Sequence, residues 1–124
     1  MIEQAFFPGR APIDAYGGGG FRFAEMSHRG SLLILPSGIY AWTISSMDKI
    51  REDDFEVVFR EAGDIGFLLL GTGPVQIFPD PQIRAAFASR NLGLDAMDTG
   101  AACRTYNILL AEGRDVAAAL IAVD

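Results

Sequence analysis

Ile65-Gly66-Phe67-Leu68-Leu69-Leu70-Gly71-Thr72-Gly73 is the stretch whose reading decides the fold. Residues 65–70 are apolar apart from Gly66, which suits a strand covered on both faces and hence a central strand of a parallel sheet. Downstream, Asp80-Pro81 offers a cap and a proline at the first helical position. Ile83, Ala86, Phe87 and Arg90 then recur at helical spacing, and Gly93 closes that helix. Leu94-Asp95-Ala96-Met97 reads as a short strand. A second helix starts at Asp98 or Thr99 and runs to Glu112, with Gly113 as its C-terminal glycine, and residues 116–123 form the last strand. The back half is therefore β-α-β-α-β, and right-handed crossovers predict three parallel strands in one sheet.

Upstream the pattern is different. Residues 13–16, 21–24, 31–35 and 39–44 are apolar segments separated by the run Gly17-Gly18-Gly19-Gly20, the turn Ser27-His28-Arg29-Gly30 and Pro36-Ser37-Gly38. This predicts an antiparallel meander of about four strands. Asp53 and Asp54 suit a helix N-terminus ahead of Phe55, Val58, Phe59 and Ala62, with Gly63 as the stop. The fold class expected is α/β, and 124 residues fit one domain spanning 1–124.

Half of the residues are hydrophobic and the net charge is −6. Nucleic acid is a poor partner for such a chain, because phosphate neutralisation needs clustered cations. Here Lys49 is the one lysine and the nine arginines are scattered. Cys103 is the single cysteine, so no internal disulfide can form, which fits a reducing compartment. Met1 to Pro8 carries neither a secretory nor a mitochondrial leader pattern, and no apolar run approaches bilayer-spanning length. The expected location is the bacterial cytoplasm.

Gly71-Thr72-Gly73 follows a strand, where a phosphate loop would sit. It lacks the lysine and hydroxyl of a P-loop, and Gln76 stands where a dinucleotide fingerprint needs its third glycine. A tight turn is the favoured reading. Its interest is positional, since ligands of open parallel sheets collect outside the carboxyl ends of the strands. Gly71, Thr72 and Gly73 are expected to share one edge with Asp98, Thr99 and Gly100, where a helix N-terminus suits an anion. On the following helix Arg104 and Asn107 fall in one arc with Gly100, opposite Ala102, Tyr106, Leu109 and Leu110. They read as a ligand or partner contact, or as an ordinary solvated face. Cys103 falls on the apolar stripe and reads as buried and inert. His28, the one histidine, reads as a solvated turn residue. No catalytic residue, metal site or cofactor is assigned.

Several segments together resemble a known family. They are Tyr16-Gly17-Gly18-Gly19-Gly20-Phe21-Arg22-Phe23, the Pro36 turn reaching Trp42, Leu69-Leu70-Gly71-Thr72-Gly73, residues 97–107 with their Thr105-Tyr106-Asn107, and residues 112–121. The chain is similar to the Mth-type domain shared by mitochondrial respiratory complex I assembly factor 3, the adipogenesis-associated Mth-domain protein and many uncharacterised prokaryotic proteins. The resemblance implies a three-layer α/β fold with a mixed central sheet. It also implies a non-enzymatic assembly or interaction module with a protein partner, such as a respiratory-complex subunit or assembly factor. The alternative is a small-ligand or anion-binding protein, conceivably a weak enzyme, using the carboxyl edge of the parallel strands.

Overall fold

The computed structural model describes residues 7–124. Its centre is a five-stranded mixed sheet of β4 (Ser31–Leu35), β5 (Gly38–Trp42), β6 (Phe67–Gly71), β7 (Gly93–Met97) and β8 (Val116–Leu120), in the order β5-β4-β8-β6-β7. β6 runs parallel to both β7 and β8, while β4 pairs antiparallel with β5 and β8. β4 and β8 are buried along their whole length, as central strands with both faces covered must be.

Alternation along these strands divides the core in two. Leu33, Leu35, Leu68, Leu70, Ala117 and Ala119 face a cluster with Trp42, Phe55, Val58, Ile83 and Phe87. Leu32, Ile34, Leu69, Ala118 and Leu120 face the other way, onto Phe21, Phe23, Ala102, Cys103 and Tyr106. The first cluster lies under α1 (Glu56–Arg60) and α2 (Pro81–Ala88). There Phe55 and Phe87 meet edge to face with ring centroids 5.1 Å apart. The second lies under α3 (Thr99–Ala111) and a separate antiparallel sheet of β1 (Ile13–Gly17), β2 (Gly20–Phe23) and β3 (Met26–Arg29). The result is the expected three-layer α/β fold.

The upstream half departs from the expected meander in arrangement. It contains five strands, three in the outer ribbon and two in the main sheet. Ser27 to Arg29 lie in β3 instead of a turn, and the β2–β3 connection is Ala24-Glu25. Both of these residues are left-handed (φ 48° and 63°), as a two-residue hairpin turn requires. His28 is accordingly half-buried in a strand, with Nε2 3.2 Å from the Ser31 carbonyl oxygen. The single helix expected over 53–62 is broken into a 3-10 turn at Glu52–Phe55, the short α1, and a 3-10 turn at Ala62–Asp64. The Trp42 indole N–H donates to the Asp54 carbonyl at 3.1 Å, and the α-helical pattern begins only beyond it. Gly93 opens β7, while α2 ends at Ala88 and the left-handed Asn91 (φ 54°) turns the chain.

Candidate functional site

The structure brings Gly71, Thr72, Gly73, Asp98, Thr99 and Gly100 together at the carboxyl edge of β6 and β7. The contact starts from a missing side chain. A Cβ on Gly71 would lie 3.0 Å from Thr99 Oγ1 and 3.1 Å from both Thr99 Cα and Leu120 Cδ2. Glycine therefore lets the first turn of α3 settle directly on the end of β6. Thr72 extends the ladder by donating its N–H to the Met97 carbonyl at 2.8 Å.

Thr99 ties the edge together. Its N–H donates to the Gly73 carbonyl at 2.9 Å, and its hydroxyl accepts the Gly73 N–H at 3.0 Å. The same hydroxyl donates to the Ile121 carbonyl at 2.7 Å, so one fully buried side chain joins the loop, α3 and the end of β8. Asp98 caps α3 by accepting the Ala101 N–H at 2.9 Å, and its carbonyl accepts the Ala102 N–H. Of the first-turn donors that would greet an anion, those of Thr99, Ala101 and Ala102 are thus engaged within the chain. Tyr16 covers Gly100 so closely that a Cβ there would stand 2.6 Å from the phenol oxygen.

Arg104 and Asn107 share the Gly100 side of α3 as expected, and β1 lies against that side. Arg104 donates to the Tyr16 hydroxyl at 3.0 Å. The Asn107 carboxamide takes both backbone groups of Ile13, accepting its N–H and donating to its carbonyl, each at 2.8 Å. It occupies the edge of β1 that no strand pairs with, so the ribbon is sewn to the helix through a side chain. The Asn107 carboxamide is thus engaged within the chain.

Cys103 is buried among the apolar residues of α3, as its position on the stripe implied. Burial pushes its thiol up from the ordinary 9.0 to about 12, with the nearby Arg104 charge offsetting part of the rise. The native thiol is expected to resist alkylation at neutral pH and to react only on unfolding. The linkage has a definite sign. Between pH 9 and about 12 the unfolded thiol releases its proton and the folded one keeps it, so stability falls as pH rises through that window. Denaturant titrations of the wild type and Cys103→Ala across that range check it, because the alanine variant loses this contribution to the pH slope.

One element of the edge was not foreseen. The loop 74–80, between β6 and α2, exposes Val75 (60%), Ile77 (39%) and Phe78 (73%). The loop is nonetheless held from within. The Thr72 hydroxyl donates to the Val75 carbonyl at 2.6 Å and accepts the Ile77 N–H at 3.0 Å, and Gln76 Nε2 donates to the Ala96 carbonyl at 2.8 Å. The available signal was Val75, Ile77 and Phe78 bracketed by Pro74 and Pro79, apolar residues with no strand or helix to bury them. Among the described residues, no group of three or more His, Cys, Asp or Glu is placed to hold a metal ion. No helix among them is long and apolar enough to cross a membrane.

Residues 13–121 match the family described as protein of unknown function (DUF498/DUF598). The chain belongs to that family. Among curated relatives, it is 32% identical over 120 residues to mouse NADH dehydrogenase [ubiquinone] 1 alpha subcomplex assembly factor 3, covering 97% of this chain and 65% of the relative's length. It is 36% identical over 115 residues to an uncharacterised protein of Rhodobacter capsulatus, covering 93% and 87%. Among solved structures, an outer membrane protein from Bartonella henselae superposes with a TM-score of 0.90 at 50% identity, covering 95% of this chain and 99% of that one. A Mth938-like domain from Bordetella pertussis gives 0.76 at 26% identity, covering 98% and 90%. The Mth-type resemblance read from the sequence is thereby established.

Proposed function

We propose that this domain is a non-catalytic interaction module that docks a protein partner through the loop 74–80. The observation that carries the reading is an exposed phenylalanine, Phe78, on a loop fixed by internal hydrogen bonds. A free loop would collapse its apolar residues onto the body or pay for ordering them on binding. A pre-set loop between two prolines escapes most of that cost, and exposed aromatics of this kind anchor interfaces. The sealed edge beneath it supplies rigidity: Gly71, Thr72, Gly73, Asp98, Thr99 and Gly100 hold the loop's base. The names of the family's mitochondrial relatives supply the partner class, a subunit or assembly factor of the respiratory NADH dehydrogenase. The work would be done on the cytoplasmic side of the membrane that carries that complex.

The test is complementation of a deletion strain of the source organism with wild type, Val75→Ser or Phe78→Ser. Both variants are expected to keep the wild-type melting temperature, because the side chains touch solvent. Each is expected to weaken partner binding by about 30-fold, the usual effect of losing an anchor, and to leave NADH dehydrogenase activity low. Normal NADH dehydrogenase levels in the deletion strain, or full rescue by Phe78→Ser, would overturn the proposal.

A further inference from the structure

Several of the chain's cationic groups are engaged in its own architecture. Arg10 donates to the carbonyls of Arg114 and Val116, Arg60 pairs with Glu56, Arg90 lies over the Phe59 ring, and Arg104 holds Tyr16. Arg22 and Arg29, like Lys49, Arg51 and Arg84, are exposed, and among the described residues they make no ion pair. The pairing of β2 with β3 sets Arg22 opposite Ser27 and Arg29 opposite Gly20. Because side chains alternate along a strand, the two arginines project from the same, outward face of the ribbon, as diagonal neighbours. Like charges so placed repel, and in a chain of net charge −6 no carboxylate among the described residues pairs with either.

The face they share is concave. A hollow of about 350 Å³ is lined by Arg22, Arg29, Ser27 and the Tyr16 region, with Gly17, Gly18 and Gly20 leaving its floor bare. Among the described residues no Asp or Glu lines it, whereas two other hollows of the surface are lined by Glu52 and Asp53. Arg29 leans over the glycine turn: a Cβ on Gly19 would lie 3.7 Å from one of its guanidinium nitrogens. The volume suits a small organic molecule, and two guanidinium forks suit an oxyanion better than any other chemistry.

We infer that this hollow binds a small polyanion whose charged oxygens bridge Arg22 and Arg29. Phosphate and carboxylate groups share that chemistry, and the glycine run of residues 17–20 serves to clear space for it. The anion site thus lies on the ribbon, whose Tyr16 reaches across to Gly100, and not on the first-turn donors of α3, of which those of Thr99, Ala101 and Ala102 are already engaged. It is independent of the docking loop.

The experiment is an NMR titration of the ¹⁵N-labelled protein at low ionic strength with inorganic pyrophosphate in one arm and citrate in the other. Saturable shifts of the Gly17–Gly20 and Ser27–Arg29 amides are expected in at least one arm, and the stronger arm names the ligand's acid class. Arg22→Gln and Arg29→Gln should each weaken binding at least about tenfold, with Arg29→Lys intermediate because it keeps the charge without the fork. Both arginines are exposed, so unchanged spectra away from the ribbon will show that the variants remain folded. No saturable shift in either arm, shifts that survive the double glutamine variant, or shifts centred on Gly71–Gly73 and Gly100 would each overturn the inference.

Discussion

Thr99→Val is expected to cost about 3 kcal/mol of folding stability and to lower the melting temperature by roughly 10 °C. Valine conserves the volume and the branching at Cβ, so packing against Gly71 is kept and the hydroxyl alone is removed. That hydroxyl accepts the Gly73 N–H and donates to the Ile121 carbonyl, and the residue is fully buried. A stranded buried donor or acceptor costs about 1–3 kcal/mol each. Thr99→Ser separates this from packing: it keeps both hydrogen bonds, loses one methyl group and should cost only about 1 kcal/mol. The Gly73 amide should also lose hydrogen-exchange protection in the valine variant and keep it in the serine variant. If thermal denaturation ranks valine at or above serine, the hydroxyl contributes nothing and the account of this edge fails.

Much of this edge was legible before the structure. Residues 65–70 are apolar beyond what a one-sided strand needs, so a central parallel strand followed, and the two later strands joined it through short connections. β6, β7 and β8 lie as that reasoning placed them. Asp98 caps α3 and Cys103 faces the core for reasons that are local to the chain. What stayed hidden depends on distant partners. Ala24-Glu25 carries no glycine or asparagine to advertise its left-handed turn, whereas Gly30 advertises one after Ser27 to Arg29, which form a strand. Nothing in the alternation of residues 13–35 says that the chain changes sheets at Gly30. Asn107 looks the same on a helical projection whether it meets solvent or the backbone of Ile13, 94 residues away. Likewise the capture of the Thr99 N–H by the Gly73 carbonyl is a tertiary fact that no helical projection shows.

Gly20→Ala is expected to be the most disruptive of the ribbon's glycine substitutions, with a cost of about 3 kcal/mol or more. The reason is space, not backbone conformation, since Gly20 lies outside the left-handed region. An alanine Cβ would stand 2.1 Å from the His28 carbonyl oxygen and 3.1 Å from Arg29 Cα. Those atoms belong to the backbone of the paired strand and have no rotamer to escape into. β2 and β3 must move apart at the Gly20–Arg29 pair, and the neighbouring Phe21 and Phe23 are core residues that oppose the shift. Gly18 provides the contrast. Its φ of 59° is left-handed, but a Cβ there meets nothing within 4 Å. Gly18→Ala should therefore cost only the left-handed penalty of about 1 kcal/mol, and Gly18→Asn less. Chemical denaturation of the three variants gives the ranking, and hydrogen exchange should show the Gly20→Ala damage first at the β2 and β3 amides. A conformational account alone predicts the opposite order, with Gly18 the sensitive position. Finding that order would mean that β3 does not run against Gly20 at this distance.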